Sequence, residues 1–421
     1  MKKIYILVTG DIHPIGGMQL LASGKAEVLE EQGWRVIMFF PTHENGSCVI
    51  ETLNKYVSGG FTELTLPPYK WTPSTRKRVI RKMCELIGPI SADDKIIIES
   101  HSDRTSQWGE ILAAKINAKH MLFLCNETYR GKDKYYVENL DYYDFKHKRK
   151  EVAGEVDDIF FRLFENYKTV DPNETNIFWY DENPVRNVNN EKVNAIQKSD
   201  WNIGYIGRME KGYVPNIIKS VAMFAKRHED KQIQFVIVGD ISSRKQLMEE
   251  ILSEIHNLKI TALGDVVPIP SSLFRKLDVV IGGSGSAKCA VYEGVYTIIA
   301  DAANFQSNGV FGYDTDDYLY HGENEQTSFD ESLEKVLVRK EYDGKEPNLP
   351  PYIGPKECTM QNFELIEASV QTLEYYPEER LCSVKTSYLD AFIMRVYDWV
   401  YRNLPCMARW MQSMKRKICG V

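Results

Sequence analysis

Short apolar runs alternate with stretches of helical periodicity along most of the chain. Apolar runs of roughly 4–8 residues between polar or glycine-rich loops are typical of buried strands, and apolar residues spaced three and four apart are typical of amphipathic helices. The predicted strands are Ile4–Val8, Arg35–Phe40, Lys95–Glu99, His120–Cys125, Trp201–Ile206, Gln234–Val238, Ile260–Leu263, Leu277–Ile281 and Tyr296–Ala300. The predicted helices are Met18–Gln32, Gln107–Ala118, Val156–Tyr167, Val214–Arg227, Arg244–His256, Glu331–Val338 and Gln361–Leu373. This alternation predicts an α/β protein with doubly wound, mainly parallel sheets.

The alternation occurs twice, with a polar stretch between the two series. We predict an N-terminal Rossmann-like domain over 1–170, a linker over 171–200 and a second Rossmann-like domain over 201–375. An amphipathic, basic helical tail over 376–421 follows. We expect the two domains to face each other across a cleft, with ligands bound at the carboxyl ends of the strands.

Composition narrows the classes of function. The 421 residues carry a net charge of −7, whereas nucleic-acid-binding proteins usually show a basic footprint. No apolar run reaches the roughly 18 residues of a membrane span, and Asp11 and His13 interrupt the first run too early for a signal peptide. The eight cysteines form no CxxC pair and no zinc-ligand spacing. We therefore expect reduced thiols in a cytoplasmic protein that binds no metal and no nucleic acid.

Two adjacent glycines precede the first predicted helix. Gly16 and Gly17 follow the first strand, so a ligand could approach backbone N–H groups at the positive end of the helix. A tight turn without a ligand accounts for the same glycines, and the pattern leaves both interpretations open.

The loop 207–212, GRMEKG, follows a predicted strand and opens a helix. The Arg208 guanidinium offers a planar fork of donors to phosphate oxygens, and the Lys211 ammonium offers a point charge. A diphosphate needs such positive charge, above all when it is a leaving group. A surface turn with two solvated cations is the alternative, but the position at the carboxyl edge of a sheet favours the phosphate site.

The stretch 277–301 is predicted as a strand, a loop of small residues, a helix and a second strand. Ser284, Ser286 and Lys288 lie in the loop and first helical turn, where they could bind phosphate or sugar oxygens. We expect Glu293 one to two turns into the helix, where a carboxylate can accept both hydroxyls of a ribose. A helix-surface glutamate is the alternative, as is simple surface charge for Lys288. Lys288 also occupies the third glycine position of a dinucleotide-binding fingerprint, which is therefore absent, and no P-loop motif occurs.

Two N-domain strands end in polar residues that we expect to point into the cleft. His101 follows the strand 95–99 and could contact a substrate hydroxyl. Glu127 follows the strand 120–125 and could act as a base for an acceptor. A purely structural role is the alternative for each.

Three segments are basic within an otherwise acidic chain. They are Arg76–Lys82 on a predicted helix, Lys146–Lys150, and the end of the tail, where Arg409 and Lys415–Lys417 flank Trp410. An anionic membrane surface is a candidate partner for these segments, the Arg76–Lys82 helix and the tail above all. Solvated faces, and for the tail a helix packed on the body of the protein, are the alternatives.

Five segments occur in a recognisable order over most of residues 1–305. They are Gly16-Gly17 with Gly33-Trp34-Arg35-Val36, Ile206-Gly207-Arg208 with Lys211-Gly212, Val236–Asp240, Leu263–Val266, and Leu277–Val280 with Glu293-Gly294. In this order they resemble the GT-B glycosyltransferases, in particular the retaining family four, which uses nucleotide sugars.

The resemblance implies transfer of a sugar from a nucleotide sugar to an acceptor hydroxyl, with retention of anomeric configuration and without a metal or other cofactor. It implies that Arg208 and Lys211 hold the donor diphosphate and that Glu293 holds the ribose. It also implies that the turn containing Gly264 and Val266 faces the base.

The N-terminal part of the resemblance concerns Gly16-Gly17, which would approach donor phosphate or acceptor, and His101, which matches the family's N-domain histidine. One departure is clear. The family has a glutamate eight positions before the helix glutamate, contacting the donor sugar, and this chain has Gly285 there. Three explanations stay open: neighbouring loop groups replace that glutamate, the donor sugar is unusual, or the activity is weak.

The leading hypothesis is a cytoplasmic glycosyltransferase, peripheral at the inner face of a membrane, that acts on a sugar or lipid-linked acceptor in surface polysaccharide or glycolipid assembly. A nucleotide-sugar epimerase of GT-B fold is the first alternative, and it would turn over nucleotide sugar without an acceptor. A non-catalytic GT-B partner protein is the second, and Arg208→Ala would change nothing measurable in it except stability.

Overall fold

The computed structural model describes residues 1–10, 12, 15–41, 48, 50–124, 138–154, 176–177, 185–252, 255–302, 304–316, 326–369, 373–384, 389, 392–393, 396, 399–400 and 404. The chain forms two compact units. Unit 1 is Met1–Asp181 with Gly354–Val421, and unit 2 is Glu182–Ile353.

Unit 1 is built on a parallel sheet of seven strands in the order β3-β2-β1-β4-β5-β6-β7. Its strands are β1 (Lys3–Val8), β2 (Arg35–Phe40), β3 (Val57–Gly60), β4 (Lys95–Ser100), β5 (Lys119–Leu124), β6 (Val152–Gly154) and β7 (Asn176–Ile177). With helices numbered along the whole chain, it contains α1 (Gly17–Glu31), α2 (Pro73–Ile87), α3 (Asp103–Ile116), α4 (Leu140–Lys148), α11 (Pro355–Ser369) and α12 (Glu378–Leu381). Short 3₁₀ segments occupy Glu51–Lys55, Thr62–Thr65 and Pro68–Lys70.

The order of strands reverses direction between β1 and β4, which are neighbours in the sheet. The four strands predicted in the first part of the chain are confirmed, because each is an unbroken apolar run that this sheet buries. Strand β3 was missed because its sequence, VSGG, has no apolar pattern. The predicted helix Val156–Tyr167 lies outside the described residues.

Unit 2 is built on a sheet of six strands in the order β11-β10-β9-β13-β14-β15, in which only β15 is antiparallel to its neighbour. The strands are β8 (Val185–Arg186), β9 (Trp201–Ile206), β10 (Ile233–Val238), β11 (Leu258–Gly264), β12 (Ile269–Pro270), β13 (Val279–Gly282), β14 (Tyr296–Ala300) and β15 (Ser307–Val310). The helices are α5 (Glu191–Asn194), α6 (Val214–Arg227), α7 (Lys245–Leu252), α8 (Ser271–Phe274), α9 (Gly285–Tyr292) and α10 (Phe329–Leu333). A 3₁₀ turn at Ser242–Arg244 precedes α7, and one π turn, Glu334–Val338, extends α10.

Helix α6 shows why the predicted helical pattern folds onto this sheet. Ile217, Val221 and Phe224 are spaced three and four apart and are 0% exposed. These side chains belong to the core cluster that also contains Ile203, Phe235 and Ile281 from three strands. Pro215 lies in the first turn of α6, where its missing N–H costs no intrahelical hydrogen bond.

The segment predicted as a linker is partly a component of unit 2. Strand β8 pairs with β12, and α5 places Val193, 0% exposed, in a core cluster with Ile196 and Leu273. The polar composition of this segment concealed two buried apolar residues three positions apart, Val193 and Ile196.

The segment that begins at Gly354 packs on unit 1, so the predicted domain boundary at 375 differs from the structure. The Phe363 ring of α11 lies edge-on against Trp34, with ring centroids 5.4 Å apart, and Glu367 accepts a hydrogen bond from Lys95 Nζ at 3.0 Å. The helical pattern of α11 predicts a buried face, but the pattern does not determine which sheet covers it.

Candidate functional site

The carboxyl ends of β9 and β13 are neighbours at the point where the strand order of unit 2 reverses. From β9 the chain proceeds to β10 and β11 on one side, and then returns to β13 and β14 on the other. The loops that leave β9 and β13 therefore diverge and open a crevice, which is where open α/β sheets bind ligands. The two loops are Gly207–Gly212 and Gly283-Ser284, and the second leads into the first turn of α9.

Residues of unit 2 contact the loop after β9 and fix its backbone. The Tyr205 hydroxyl donates to the Arg208 carbonyl at 2.9 Å, and Arg244 Nε donates to the Met209 carbonyl at 3.0 Å. The backbone of Gly239, at φ +142°, passes so close that an added Cβ would collide with the carbonyl oxygen of Gly207. The loop is thus shaped by backbone contacts, while the Arg208 side chain remains exposed.

Lys211 lies in the same loop, with its Nζ 5.6 Å from the centroid of the Tyr213 ring. Burial raises the pKa of the Tyr205 phenol well above its usual range, and the positive charges of Lys211 and Arg208 oppose that rise. The two predicted cations are therefore near the same buried hydroxyl. Both cations belong to the loop at the crevice, and phosphate binding by this loop stays a prediction.

The loop after β13 leads directly into α9. Ser284 is 5% exposed and adopts φ +55°, a conformation unusual for a residue with a side chain. The Ser286 hydroxyl donates to the Gly283 carbonyl at 2.9 Å, and Lys288 is half-buried. The positive end of α9 therefore lies at the crevice, with Ser286 and Lys288 in its first turn.

Glu293 does not lie one to two turns into the helix, and that prediction is wrong. Helix α9 ends at Tyr292, Glu293 is the exposed residue that follows, and Gly294 reverses the backbone at φ +82°. Because α9 runs antiparallel to β13 and β14, its final residues lie at the amino edge of the sheet, just before β14 begins. Eight helical residues span about 12 Å, so Glu293 is far from the loop that contains Arg208.

Acidic side chains surround the turn after β11, at the same carboxyl edge of the sheet. Gly264 accepts a hydrogen bond from the Gly239 N–H at 3.0 Å, and Val266 is 6% exposed. Burial raises the pKa of Asp265, and the nearby carboxylates of Asp240 and Glu210 raise it further. Glu210 lies in the same loop as Arg208 and Lys211, so the loop after β9 carries charges of both signs, and the positive end of α9 beside it is the part of the edge that suits a diphosphate best.

In unit 1, Gly16 and Gly17 lie where the sequence places them, at the start of α1. Gly16 is the extended residue before the helix, and an added Cβ there would lie 2.7 Å from the Gln19 Oε1 atom. No acidic residue occupies the first turn of α1. The geometry suits both the ligand interpretation and the tight turn, and binding by these glycines stays a prediction.

The His101 side chain is buried within unit 1, whereas the sequence predicts that it points into the cleft. Its side chain is 0% exposed, its Nε2 donates to Glu99 Oε1 at 2.6 Å, and its Nδ1 lies 3.0 Å from the Thr9 hydroxyl. Lys25 Nζ donates to both oxygens of Glu99, at 2.8 and 2.9 Å, and the Tyr5 hydroxyl donates to it as well. Burial alone would raise the pKa of Glu99, but Lys25 and His101 hold it at about 2. A substrate hydroxyl cannot reach the ring of His101 in this arrangement.

Glu127, the other predicted catalytic residue, lies outside the described residues. The end of β4 contains a second buried set whose geometry resembles a hydrolytic triad. Ser100 Oγ lies 3.0 Å from His120 Nε2, and His120 Nδ1 lies 2.6 Å from Glu110 Oε2. Ser100 and Glu110 are 0% exposed, and Lys146 Nζ binds the same Glu110 oxygen at 3.0 Å. Because no substrate can reach Ser100, this set stabilises the fold.

The basic segments differ from one another. Lys146 is 1% exposed and is paired with Glu110 and Glu151, so the 146–150 segment is a structural element. In α2, Arg78 pairs with Glu63 at 2.6 Å, whereas Lys77 and Lys82 are exposed.

In the tail, the described apolar residues are largely exposed. The exposed fractions are Leu389 58%, Phe392 63%, Ile393 52%, Val396 45% and Trp399 58%. Among the residues that the structure describes, no helix is long and apolar enough to cross a bilayer. In the same residues, no group of three or more metal-binding side chains could hold a metal ion.

Sequence reasoning missed two residues near the crevice. Arg244 precedes a helix with no motif around it, and its role in holding the Met209 carbonyl depends on the fold. Phe305 follows β14 and lies against Gly212, and an aromatic residue in a loop gives no signal of such a contact.

No protein-family model matches the chain, and no curated protein matches it. Several solved structures do. A glycosyltransferase from Rickettsia africae superposes with a TM-score of 0.50 at 15% identity, over 100% of this chain and 99% of that one. The UDP-GlcNAc 2-epimerase from Neisseria meningitidis, bound to UDP-GlcNAc, gives 0.50 at 13% identity, over 87% of this chain and 100% of that one. HepE from Anabaena, in complex with UDP-glucose, superposes with a TM-score of 0.51 at 12% identity, over 92% of this chain and 99% of that one.

These likenesses, together with the two parallel sheets, confirm the predicted GT-B fold with two Rossmann-like units. At identities of 12–15% they show the fold alone.

Proposed function

We propose that the chain is a glycosyltransferase that binds the diphosphate of a nucleotide sugar at the crevice of unit 2. One observation carries the proposal. The loop that presents Arg208 and Lys211 and the positive end of α9 lie side by side where the strand order reverses. The GT-B fold supports this assignment, because the HepE structure holds UDP-glucose and the Neisseria epimerase holds UDP-GlcNAc.

Within this site, Arg208 binds two phosphate oxygens through its fork of donors and Lys211 binds a third. Ser284, Ser286 and Lys288 face the same diphosphate from the loop that opens α9. The turn at Gly264 and Val266 faces the base, away from the phosphates. The proposed site does not include Glu293, because this residue follows α9 at the amino edge of the sheet.

The reaction transfers a glycosyl group to an acceptor hydroxyl. The bond between the anomeric carbon and the diphosphate oxygen breaks, and its electron pair stays on the diphosphate. The acceptor oxygen bonds to the anomeric carbon, and its proton passes to the released diphosphate. Arg208 and Lys211 stabilise the charge that develops on the leaving group. Retention of configuration and independence of metal are part of the proposal.

The test is a thermal-shift panel of UDP-, GDP-, dTDP-, ADP- and CMP-sugars. A ligand at one hundred times its dissociation constant should stabilise the protein by about 2.7 kcal/mol. Loss of a charge-assisted hydrogen bond in Arg208→Ala should weaken binding about 10- to 100-fold. Arg275→Ala is the matched control, because Arg275 is an exposed arginine of the same unit that precedes β13 at the amino edge. No shift with any sugar, or equal losses in both variants, would contradict the proposal.

The likeness to the Neisseria epimerase favours a second candidate, a nucleotide-sugar epimerase. The two functions share the diphosphate site and differ in the fate of the sugar. Incubation with the nucleotide sugar that binds, without any acceptor, separates them. An epimerase converts it to an epimer that remains attached to the nucleotide, whereas a transferase releases nucleoside diphosphate once an acceptor is added.

The acceptor is proposed to be lipid-linked, as in surface polysaccharide or glycolipid assembly, with the protein peripheral at the cytoplasmic face of a membrane. The exposed apolar residues of the tail, Phe392 and Trp399 among them, support contact with a lipid surface. Truncation after residue 386 should abolish co-sedimentation with anionic vesicles and leave nucleotide-sugar binding unchanged. Undiminished co-sedimentation would remove the membrane part of the proposal.

A further inference from the structure

Phe305 adopts a conformation that a large aromatic residue rarely takes. Its backbone lies in the left-handed region at φ +60°, and its side chain is 39% exposed. Left-handed backbone disfavours residues that have a Cβ, and such residues persist only where surrounding contacts fix them.

Hydrogen bonds on both sides fix the backbone of Phe305. Its N–H donates to the Asp301 carbonyl at 3.0 Å, and its carbonyl accepts from Asn216 Nδ2 at 3.0 Å. Asp301 is itself 1% exposed and accepts from Gln326 Nε2 at 2.9 Å. The strain is therefore maintained by β14 on one side and by α6 on the other.

These contacts place the ring beside the phosphate loop. An added Cβ at Gly212 would lie 2.7 Å from Cε1 and from Cζ of Phe305, so the tip of the ring meets Gly212. In the sheet, β13 lies between β9 and β14. The chain from the end of β14 to Gly212 therefore spans two strand spacings, about 10 Å. The Phe305 ring therefore lies beside the loop that leaves β9, although the residue itself follows β14.

We infer that Phe305 is a specificity-determining residue that packs against the apolar C–H face of the donor's pyranose ring. The inference rests on the proposed function and deepens it. Gly285 offers no carboxylate to the sugar hydroxyls, and the exposed ring of Phe305 offers an apolar contact to the sugar instead. In this arrangement Phe305 contacts the pyranose ring of the sugar, while Arg208 and Lys211 bind the diphosphate.

The experiment compares two ligands in isothermal titration, a nucleoside diphosphate and the corresponding nucleotide hexose. UDP and UDP-glucose are tried first, and the panel described above selects the base. Phe305→Gly removes the ring and relaxes the left-handed backbone. It should weaken UDP-glucose binding about tenfold, through the loss of roughly 50 Å² of apolar burial, and change UDP binding less than about twofold. Phe305→Tyr retains the ring and should restore the binding of UDP-glucose.

Lys340→Gly is the matched control, because Lys340 is an exposed left-handed residue at φ +50° elsewhere in unit 2. It should alter the binding of neither ligand. Phe305→Leu, which keeps an apolar side chain of similar size, guards against loss of folding in the glycine variant and should show an intermediate loss.

Equal weakening of UDP and UDP-glucose would overturn the inference, because the ring would then only order the phosphate loop. Unchanged binding of both ligands in Phe305→Gly would also overturn it. If the wild-type protein binds no nucleotide and no nucleotide sugar, the proposed function itself fails, and the inference fails with it.

Discussion

Charged residues lie at or just beyond the carboxyl ends of the central strands in both sheets, but the two units place them differently. In unit 1, Glu99 is fully buried and is neutralised by Lys25. In unit 2, Arg208 is exposed on a loop that backbone contacts hold in place. A polar residue after a buried strand therefore has two outcomes. Where a charged partner neutralises its side chain, as Lys25 does for Glu99, the residue becomes a structural element, and where the contacts hold only its backbone, as at Arg208, its side chain stays exposed.

Lys25→Met is the strongest test of the unit 1 half of this comparison. It leaves the Glu99 carboxylate buried without its main partner, so the free energy of unfolding should fall by about 3–5 kcal/mol in urea denaturation. Lys55→Met is the matched control, because Lys55 is 62% exposed in its pair with Glu30 and should change stability by less than about 1 kcal/mol. Similar losses in the two variants would mean that Glu99 finds another partner.

Gly239→Ala tests the claim that backbone contacts shape the unit 2 edge. The new Cβ meets the Gly207 carbonyl oxygen, so we expect a loss of about 2–5 kcal/mol together with weakened donor binding. Gly264→Ala, at φ +71° with only Lys192 Nζ nearby at 3.8 Å, should lose only about 1–2 kcal/mol of stability. A smaller loss in Gly239→Ala than in Gly264→Ala would contradict close packing of the two loops.

The pH dependence of stability should originate in unit 1. Burial and Lys146 lower the pKa of His120 from its ordinary 6.5 to about 4 in the folded protein. The unfolded chain therefore binds more protons in that window, and the free energy of unfolding should fall as pH drops from 6.5 towards 4. Denaturation midpoints measured across this range should depend less on pH in His120→Gln. A slope in His120→Gln as steep as that of the wild-type protein would contradict this assignment.

The smallest expected effect concerns Glu293. Because this residue follows α9 at the amino edge of the sheet, Glu293→Gln should leave nucleotide-sugar affinity within about twofold of wild type. Isothermal titration with the ligand identified by the panel measures it. A loss of tenfold or more would show that the carboxylate reaches the ribose and that the end of α9 moves on binding.

The fold was largely predictable, because strands such as β1 and β13 are apolar runs that only a buried sheet accommodates. The GRMEKG loop was predictable for the same reason, since its place after β9 follows from the strand. Glu293 was misplaced although a signal existed: Gly294 directly after it marks the end of a helix. The burial of His101 and Lys25 carried no such signal, because their partners are distant in sequence and meet only when the sheet forms.

Unit 1 is interrupted in the chain by the whole of unit 2. During synthesis, the Trp34 ring can contact Phe363 only after Phe363 has left the ribosome. The Glu110 carboxylate likewise gains the hydrogen bond from the Tyr376 N–H only after Tyr376 has emerged. At ordinary rates of elongation of about 5–20 residues per second, this delay lasts roughly 15–65 s. Unit 2 is continuous and can complete its core during that interval. A nascent chain would thus form the loop that contains Arg208 and Lys211 before its first sheet is fully covered.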